Sequence, residues 1–174
     1  MTSCPFTPVI DTREQCPLAL PGAVRGTLRA GDYSLLGFER FIAIERKSLS
    51  DLYGTLGGGR ERFTLELERL RAVPFRALVI EGALSDILHS PPEHSAIHPS
   101  AIVGSLAAWA WRYGLPVWFA GNAADAAVLV ERLLRLAHRE LLEPWEWRTQ
   151  REAAARHQRE RRAVVGSRQE ATSA

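Results

Sequence analysis

Gly31-Asp32-Tyr33-Ser34-Leu35-Leu36-Gly37-Phe38-Glu39-Arg40-Phe41-Ile42-Ala43-Ile44-Glu45-Arg46-Lys47 reads as a β-hairpin. Tyr33 to Leu36 is apolar and strand-like, Gly37-Phe38-Glu39-Arg40 supplies a turn, and Phe41 to Lys47 forms the return strand. Side chains alternate along a strand, so Ala43, Glu45 and Lys47 share one face while Ile44 and Arg46 take the other. Asp32 begins the partner strand. Asp32 and Glu45 can therefore approach each other and point to the same side as Lys47. The apolar lead-in from Ile42 to Ile44 ends abruptly in Glu45-Arg46-Lys47. That is the pattern of a strand delivering polar groups to a site at its tip. On its own, Glu45 with Lys47 across one strand face would read as a surface ion pair.

Lys47 is the single lysine in a chain with 22 Lys and Arg residues together. Elsewhere a positive charge is carried by the planar fork of Arg; here it is a compact ammonium on a flexible stem. Two carboxylates as close as Asp32 and Glu45 repel unless one binds a proton or a cation lies between them. An all-oxygen pair suits Mg²⁺, with Mn²⁺ as a substitute. Such a cation lowers the pKa of bound water and polarises a phosphoryl oxygen. Lys47 is then placed to orient the attacking water or to offset charge on phosphorus.

Outward from the hairpin, Pro8-Val9-Ile10 reads as a short buried strand ending at Asp11-Thr12-Arg13-Glu14. A Pro/Gly-rich connection follows through Pro17, Pro21, Gly22 and Gly26. Ser48 or Ser50 is placed to cap a helix through Leu52 and Tyr53. After Gly57-Gly58-Gly59, Phe63, Leu67 and Leu70 recur at helical spacing, predicting a helix from Arg60 to Ala72. Ala77-Leu78-Val79-Ile80 is a continuous apolar run, as in a strand buried on both faces. A Pro- and His-rich loop from His89 to Pro99 leads to a helix from Ser100 to Tyr113 with Ile102, Leu106 and Trp109 inward. Pro116 to Ala120 is a strand, and Asn122 caps a helix from Ala123 to Leu142. Strands alternating with helices predict an α/β fold with a mixed central sheet.

Net charge is only +2, so any nucleic-acid surface must be local. Arg148 to Ala174 carries seven Arg and three Glu, a local excess of +4, suited to salt-dependent phosphate contacts. Residues 1–144 are expected to form one domain and 145–174 a basic tail. Cys4 and Cys16 lack metal or disulfide-framework spacing, which predicts a reduced, intracellular protein. Neither a signal peptide nor a membrane span is expected. Gly57-Gly58-Gly59-Arg60 lacks the Gly-Lys-Ser/Thr ending of a nucleotide-binding loop. His89, His94 and His98 have no nearby Cys and loose spacing, so zinc is not expected. The five tryptophans read as core and interface residues rather than a platform for bases.

Gly31-Asp32-Tyr33, Glu45-Arg46-Lys47 and Asp51 together form a GDY…ERKxxxD pattern. It resembles the XPF-type structure-specific endonuclease domain, a branch of the PD-(D/E)XK nucleases. Supporting stretches are Val9-Ile10-Asp11-Thr12-Arg13-Glu14, Gly58-Gly59-Arg60 and Val79-Ile80-Glu81-Gly82. His98-Pro99-Ser100-Ala101-Ile102 followed by Leu106 resembles the archaeal Hef nuclease domain. The resemblance spans roughly Pro8 to Glu140.

The resemblance implies a restriction-endonuclease-like mixed sheet flanked by helices, and metal-dependent cleavage of DNA at flaps, forks or junctions in repair or recombination. It implies metal binding by Asp32 and Glu45, service to the water by Lys47, and completion of the acidic site by Asp11 and Glu14. Of those two, Asp11 is the better placed for a water-mediated metal contact. Arg13, Arg46 and Asp51 would support the site, with Arg46, opposite in phase to Glu45, pairing with Asp51 or Glu14. Glu81 is a further acid at the end of its strand. Arg60 and Arg62, beside the glycine loop, are candidates to touch the DNA backbone. The helices Ser100–Tyr113 and Ala123–Leu142 are candidates for a homodimer or heterodimer face, with ordinary core packing as the alternative. About thirty residues follow Glu143 without a helix-hairpin-helix glycine pattern, so a stand-alone nuclease domain is expected, cytoplasmic and nucleoid-associated if prokaryotic. A non-catalytic DNA-binding subunit of a heterodimer and a defence nuclease acting on linear duplex are the rival readings. The intact acidic–lysine set argues against the first, and the lack of a recognition domain against the second.

Overall fold

The computed structural model describes residues 6–92, 95–142 and 157. The tail, Cys4, His94, Trp145 and Trp147 lie outside them. The chain divides at Ala137–His138 into two compact units. The second begins inside the last helix, and its described part is the stretch His138–Leu142 and His157.

In chain order the elements are β1 (Pro8–Asp11), β2 (Val24–Gly26), β3 (Tyr33–Leu35), β4 (Ile42–Ser48), α1 (Leu49–Gly57), α2 (Arg60–Arg71), β5 (Phe75–Glu81), α3 (Leu84–His89), α4 (Pro99–Tyr113), β6 (Val117–Phe119) and α5 (Ala123–Leu142). The strands form one mixed sheet in the order β2-β1-β3-β4-β5-β6. β1 and β3 pair antiparallel, as do β3 and β4, with Tyr33 opposite Ile44. β4 and β5 pair in parallel along their whole length, from Ile42 opposite Phe75 to Ser48 opposite Glu81. β5 and β6 are also parallel. This α/β architecture is the one expected.

One face of the sheet carries the main core. Ala43 of β4 and Leu78 and Ile80 of β5 pack with Leu52, Tyr53 and Leu56 of α1, Phe63, Leu67 and Leu70 of α2, and Ile102, Leu106 and Trp109 of α4. Leu67 and Leu70 are fully buried, each worth about 1.5–3 kcal/mol of transfer free energy. That burial fixes α2 over the end of β4, where Glu45 and Lys47 emerge on the same face as Ala43. On the opposite face Ile42 and Ile44 line an apolar groove with Leu133, Leu136 and Ala137 of α5.

Two elements depart from the sequence reading. The Pro/Gly-rich connection contains β2, three largely exposed residues held in line with Val9 to Asp11 of β1. A six-residue helix, α3, precedes the expected loop. Elsewhere boundaries move by a residue or two. Ser48, not Ser50, caps α1: its hydroxyl accepts the Asp51 N–H at 3.1 Å. His98 caps α4, its Nδ1 accepting the Ser100 N–H at 3.3 Å. The apolar faces considered for dimer contact are largely internal: Ile102, Leu106 and Trp109 of α4 and Ala126, Val130, Leu134 and Ala137 of α5 are buried within the first unit. Trp111, at 90% exposure, is the exception on α4.

Candidate active site

The polar end of β4 opens into a cleft of about 480 Å³ whose walls include Asp11, Arg13, Gly31, Asp32, Glu45 and Lys47. It is continuous with a second recess sharing Asp32, Glu45 and Lys47 and adding Glu14, Arg46 and Asp51. The hairpin reading thus holds in space, with Asp32, Glu45 and Lys47 facing one cavity.

Gly31 creates the entry to Asp32. Its φ of +70° lies in the region that favours glycine, and a Cβ there would sit 2.9 Å from the Ile44 carbonyl oxygen. Asp32 then locks to β4 twice. Its N–H donates to Ile44 O at 2.9 Å, and its Oδ2 accepts the Arg46 N–H at 2.8 Å. Oδ1 receives no hydrogen bond from a described residue. Glu45 is 7% exposed. Its Oε1 accepts from Lys47 Nζ at 3.2 Å, and its Oε2 likewise has no donor among the described residues. Lys47 Nζ also lies 4.1 Å from the centroid of the Phe63 ring, a cation–π contact that limits where the ammonium can go.

These placements leave two ill-compensated acids side by side. Burial pushes the Glu45 carboxyl up to about 8, with Asp32 adding repulsion and Lys47 opposing. Burial pushes Asp32 up to about 6, with the Arg46 N–H and Lys47 opposing and Glu14 and Glu66 adding repulsion. A buried carboxylate, Glu45, and a half-buried one, Asp32, each presenting an open oxygen, fit a hard divalent cation. Among the described residues no three His, Cys, Asp or Glu side chains converge as a complete ligand set. The protein's share would be these two carboxylates, with water and substrate oxygens completing the shell, as Mg²⁺ prefers.

The other expected residues divide by what they touch. Asp11 is 1% exposed and its carboxylate is fully occupied. Oδ1 accepts from the Arg13 N–H at 2.8 Å and Nε at 2.6 Å, and Oδ2 from Arg13 Nη2 at 3.2 Å and the Leu28 N–H at 2.6 Å. Burial raises the Asp11 carboxyl, but those bonds to Arg13 and Leu28 more than offset it and hold the group below its ordinary value. Asp11 therefore forms a charged wall of the cleft and holds Arg13 at its rim. Glu14 accepts the Cys16 N–H at 2.8 Å and lies 3.6 Å from Arg46. The principal partner of Arg46 is Glu81, whose Oε2 accepts from Nε at 2.8 Å and also from Nη2. The expected pairing with Glu14 is thus present but secondary, and Asp51 instead accepts from the Ser48 hydroxyl at 2.7 Å at the start of α1. Arg62 lines both recesses, whereas Arg60 lines neither. The two are about 200° apart around α2, so only one can face the cleft.

Three cleft residues on α2 were not singled out from sequence: Phe63 at the site, Glu66 and Arg69. Arg62, Glu66 and Arg69 stand at i, i+4 and i+7, one stripe beside the buried Phe63–Leu67–Leu70 stripe, and that spacing was the available signal. Glu66 reaches 35 residues back to accept the Gly31 N–H at 2.8 Å.

The ERCC4 domain family model matches residues 18–133. Among solved structures the chain is similar to XPF from Aeropyrum pernix, at 23% identity and a TM-score of 0.61, over 81% of this chain and 69% of that one. It is similar to XPF from Aeropyrum pernix in complex with DNA at 21% identity, with the same coverage and TM-score. At these identities the likeness is one of fold. No curated protein sequence matches the chain. The family match spans the glycine turn before Asp32, the carboxylate–lysine end of β4 and the α2 wall, and on that match the chain belongs to the ERCC4 domain family.

Proposed function

We propose that this chain is a divalent-metal-dependent endodeoxyribonuclease that hydrolyses phosphodiester bonds at flaps, forks or junctions, in DNA repair or recombination. The observation carrying this reading is that two carboxylates with raised pKa values, Glu45 buried and Asp32 half-buried, share one cleft with the chain's single lysine. Bound Mg²⁺, or Mn²⁺ in its place, would supply an activated water and a polarised phosphoryl oxygen. Asp32 and Glu45 would hold it. Lys47, fixed by Glu45 and the Phe63 ring, would orient the attacking water and offset charge building on phosphorus. Arg13, Arg62 and Arg69 rim the cleft and are suited to non-bridging phosphate oxygens, which position DNA without reading its sequence. Arg46 with Glu81 and Glu14 supports β4 from the opposite face.

The family supports a DNA-acting role, and the Aeropyrum structure bound to DNA supports it by fold alone. Two copies pairing through Trp111, Trp118 and Leu136, exposed on α4, β6 and α5, would give a dimer presenting two clefts. No described helix is long and apolar enough to cross a membrane. In this reading residues 145–174 add sequence-independent phosphate contacts to a nuclease domain of residues 1–144.

Labelled flap, fork, nicked and linear duplexes, each incubated with Mg²⁺ and with Mn²⁺, test the substrate. Cuts clustered near the branch, with linear duplex spared, are expected. Equal cutting of linear duplex would remove the branched-substrate part and favour the defence reading.

A further inference from the structure

We infer that Glu66 on α2 is a positioning residue for the cation: through the Gly31 N–H it holds Asp32 in its metal-ready placement, and it couples that placement to the arginine wall of the cleft. The inference rests on the metal-nuclease reading. The backbone around Asp32 is held at three points. Asp32 N–H donates to Ile44 O at 2.9 Å and Asp32 O accepts the Asp11 N–H at 2.8 Å, both from the sheet. The third is Gly31 N–H to Glu66 Oε1 at 2.8 Å, the one that comes from a helix. Gly31 is the residue with the special backbone conformation, and its N–H donates to Glu66 rather than to a described strand. Without an acceptor there, the turn that aims Asp32 would be held only from the sheet side.

Glu66 suits this role chemically. Its side chain is 14% exposed, and its second oxygen accepts from Arg69 Nε at 3.0 Å and Nη2 at 2.5 Å. One carboxylate thus bridges the Asp32 turn and an arginine of the phosphate-facing wall. One turn earlier on the same helix, Phe63 holds Lys47. α2 therefore contacts Lys47 and the glycine that precedes Asp32. Its charge also adds to the repulsion that a cation would relieve. Outer partners that orient metal-binding groups are typically worth about 10–100-fold in metal affinity.

Mn²⁺ binding to the DNA-free protein, followed by calorimetry, provides the test, with wild type beside Glu66→Ala, Glu66→Leu and Glu66→Gln. Leu keeps bulk without an acceptor and stands in should Ala not fold. Ala and Leu are expected to weaken Mn²⁺ binding by about tenfold or more. Gln, whose amide oxygen still accepts the Gly31 N–H, is expected within about threefold of wild type. Rescue by Gln supports positioning; Gln as weak as Ala would assign the effect to charge and overturn it. Lower stability with unchanged Mn²⁺ affinity in Ala and Leu would also overturn it, leaving Glu66 a merely structural clamp. If wild type bound no Mn²⁺, the metal reading itself would fall, an outcome distinct from equal affinities in wild type and variants.

Discussion

Replacing Glu45 with Gln should stabilise the metal-free protein at alkaline pH. An ordinary buried ion pair would do the reverse. In the folded state the Glu45 carboxyl holds its proton up to about 8, against 4.5 for the free side chain, because burial and Asp32 disfavour its charge. The folded chain therefore binds more protons than the unfolded one across that interval. Stability is fully present below the unfolded value and is lost as pH rises through the folded one. At about 1.4 kcal/mol per unit the rise from 4.5 to about 8 sets a ceiling near 5 kcal/mol, and proton sharing with Asp32 and local relaxation bring the expected loss to about 2–4 kcal/mol. Gln has the same shape and no charge, so the variant escapes the loss. Urea unfolding in EDTA at pH 5 and pH 8 measures this. Wild type should fall markedly between the two, the variant should fall less because only the Asp32 share of the loss remains, and at pH 8 the variant should be the more stable. Adding Mg²⁺ at pH 8 should restore wild type by mass action and leave the variant unmoved. A variant less stable than wild type at pH 8 would refute the argument, because Glu45 would then be a structural partner of Lys47.

Gly31→Ala should cost about 1–3 kcal/mol by denaturant unfolding, since it combines a disfavoured φ with a contact to Ile44 O. Arg46→Met should cost about 3 kcal/mol in the same assay by leaving Glu81 unpaired at 19% side-chain exposure, and Arg46→Met with Glu81→Leu should recover part of it. Arg62→Ala should weaken fork DNA binding in fluorescence anisotropy and flatten its log–log salt dependence by about one unit, while Arg60→Ala, off the cleft, should change both less.

The strand Ile42–Ser48 was legible because its apolar run and its Glu-Arg-Lys ending are both local, and the alternation put Glu45 with Lys47 and Arg46 opposite. Asp32 was legible because Gly31 marks a turn whose partner strand lies only a hairpin away. β2 was not: Val24-Arg25-Gly26 is short, exposed and Gly-bounded, and is a strand only because β1 lies beside it. The choice between Arg60 and Arg62 required the phase of α2, which the buried Phe63, Leu67 and Leu70 set. Glu66 was hidden by distance in sequence, since its role depends on Gly31, 35 residues away. The pairing of Arg46 with Glu81 had the same obstacle, until the β4–β5 register placed Ser48 beside Glu81.

Single-turnover cleavage of a labelled fork, with enzyme in excess, tests the central claim most directly when wild type, Lys47→Ala and Asp32→Asn are compared in Mg²⁺ and in EDTA. The account predicts cutting by wild type in Mg²⁺ only, and a loss of about a hundredfold or more in both variants with fork binding retained. Wild-type rates in Lys47→Ala would contradict the role given to the lysine, and fork binding without cutting under Mg²⁺ and Mn²⁺ alike would contradict the nuclease reading and leave the chain a DNA-binding subunit in search of a catalytic partner.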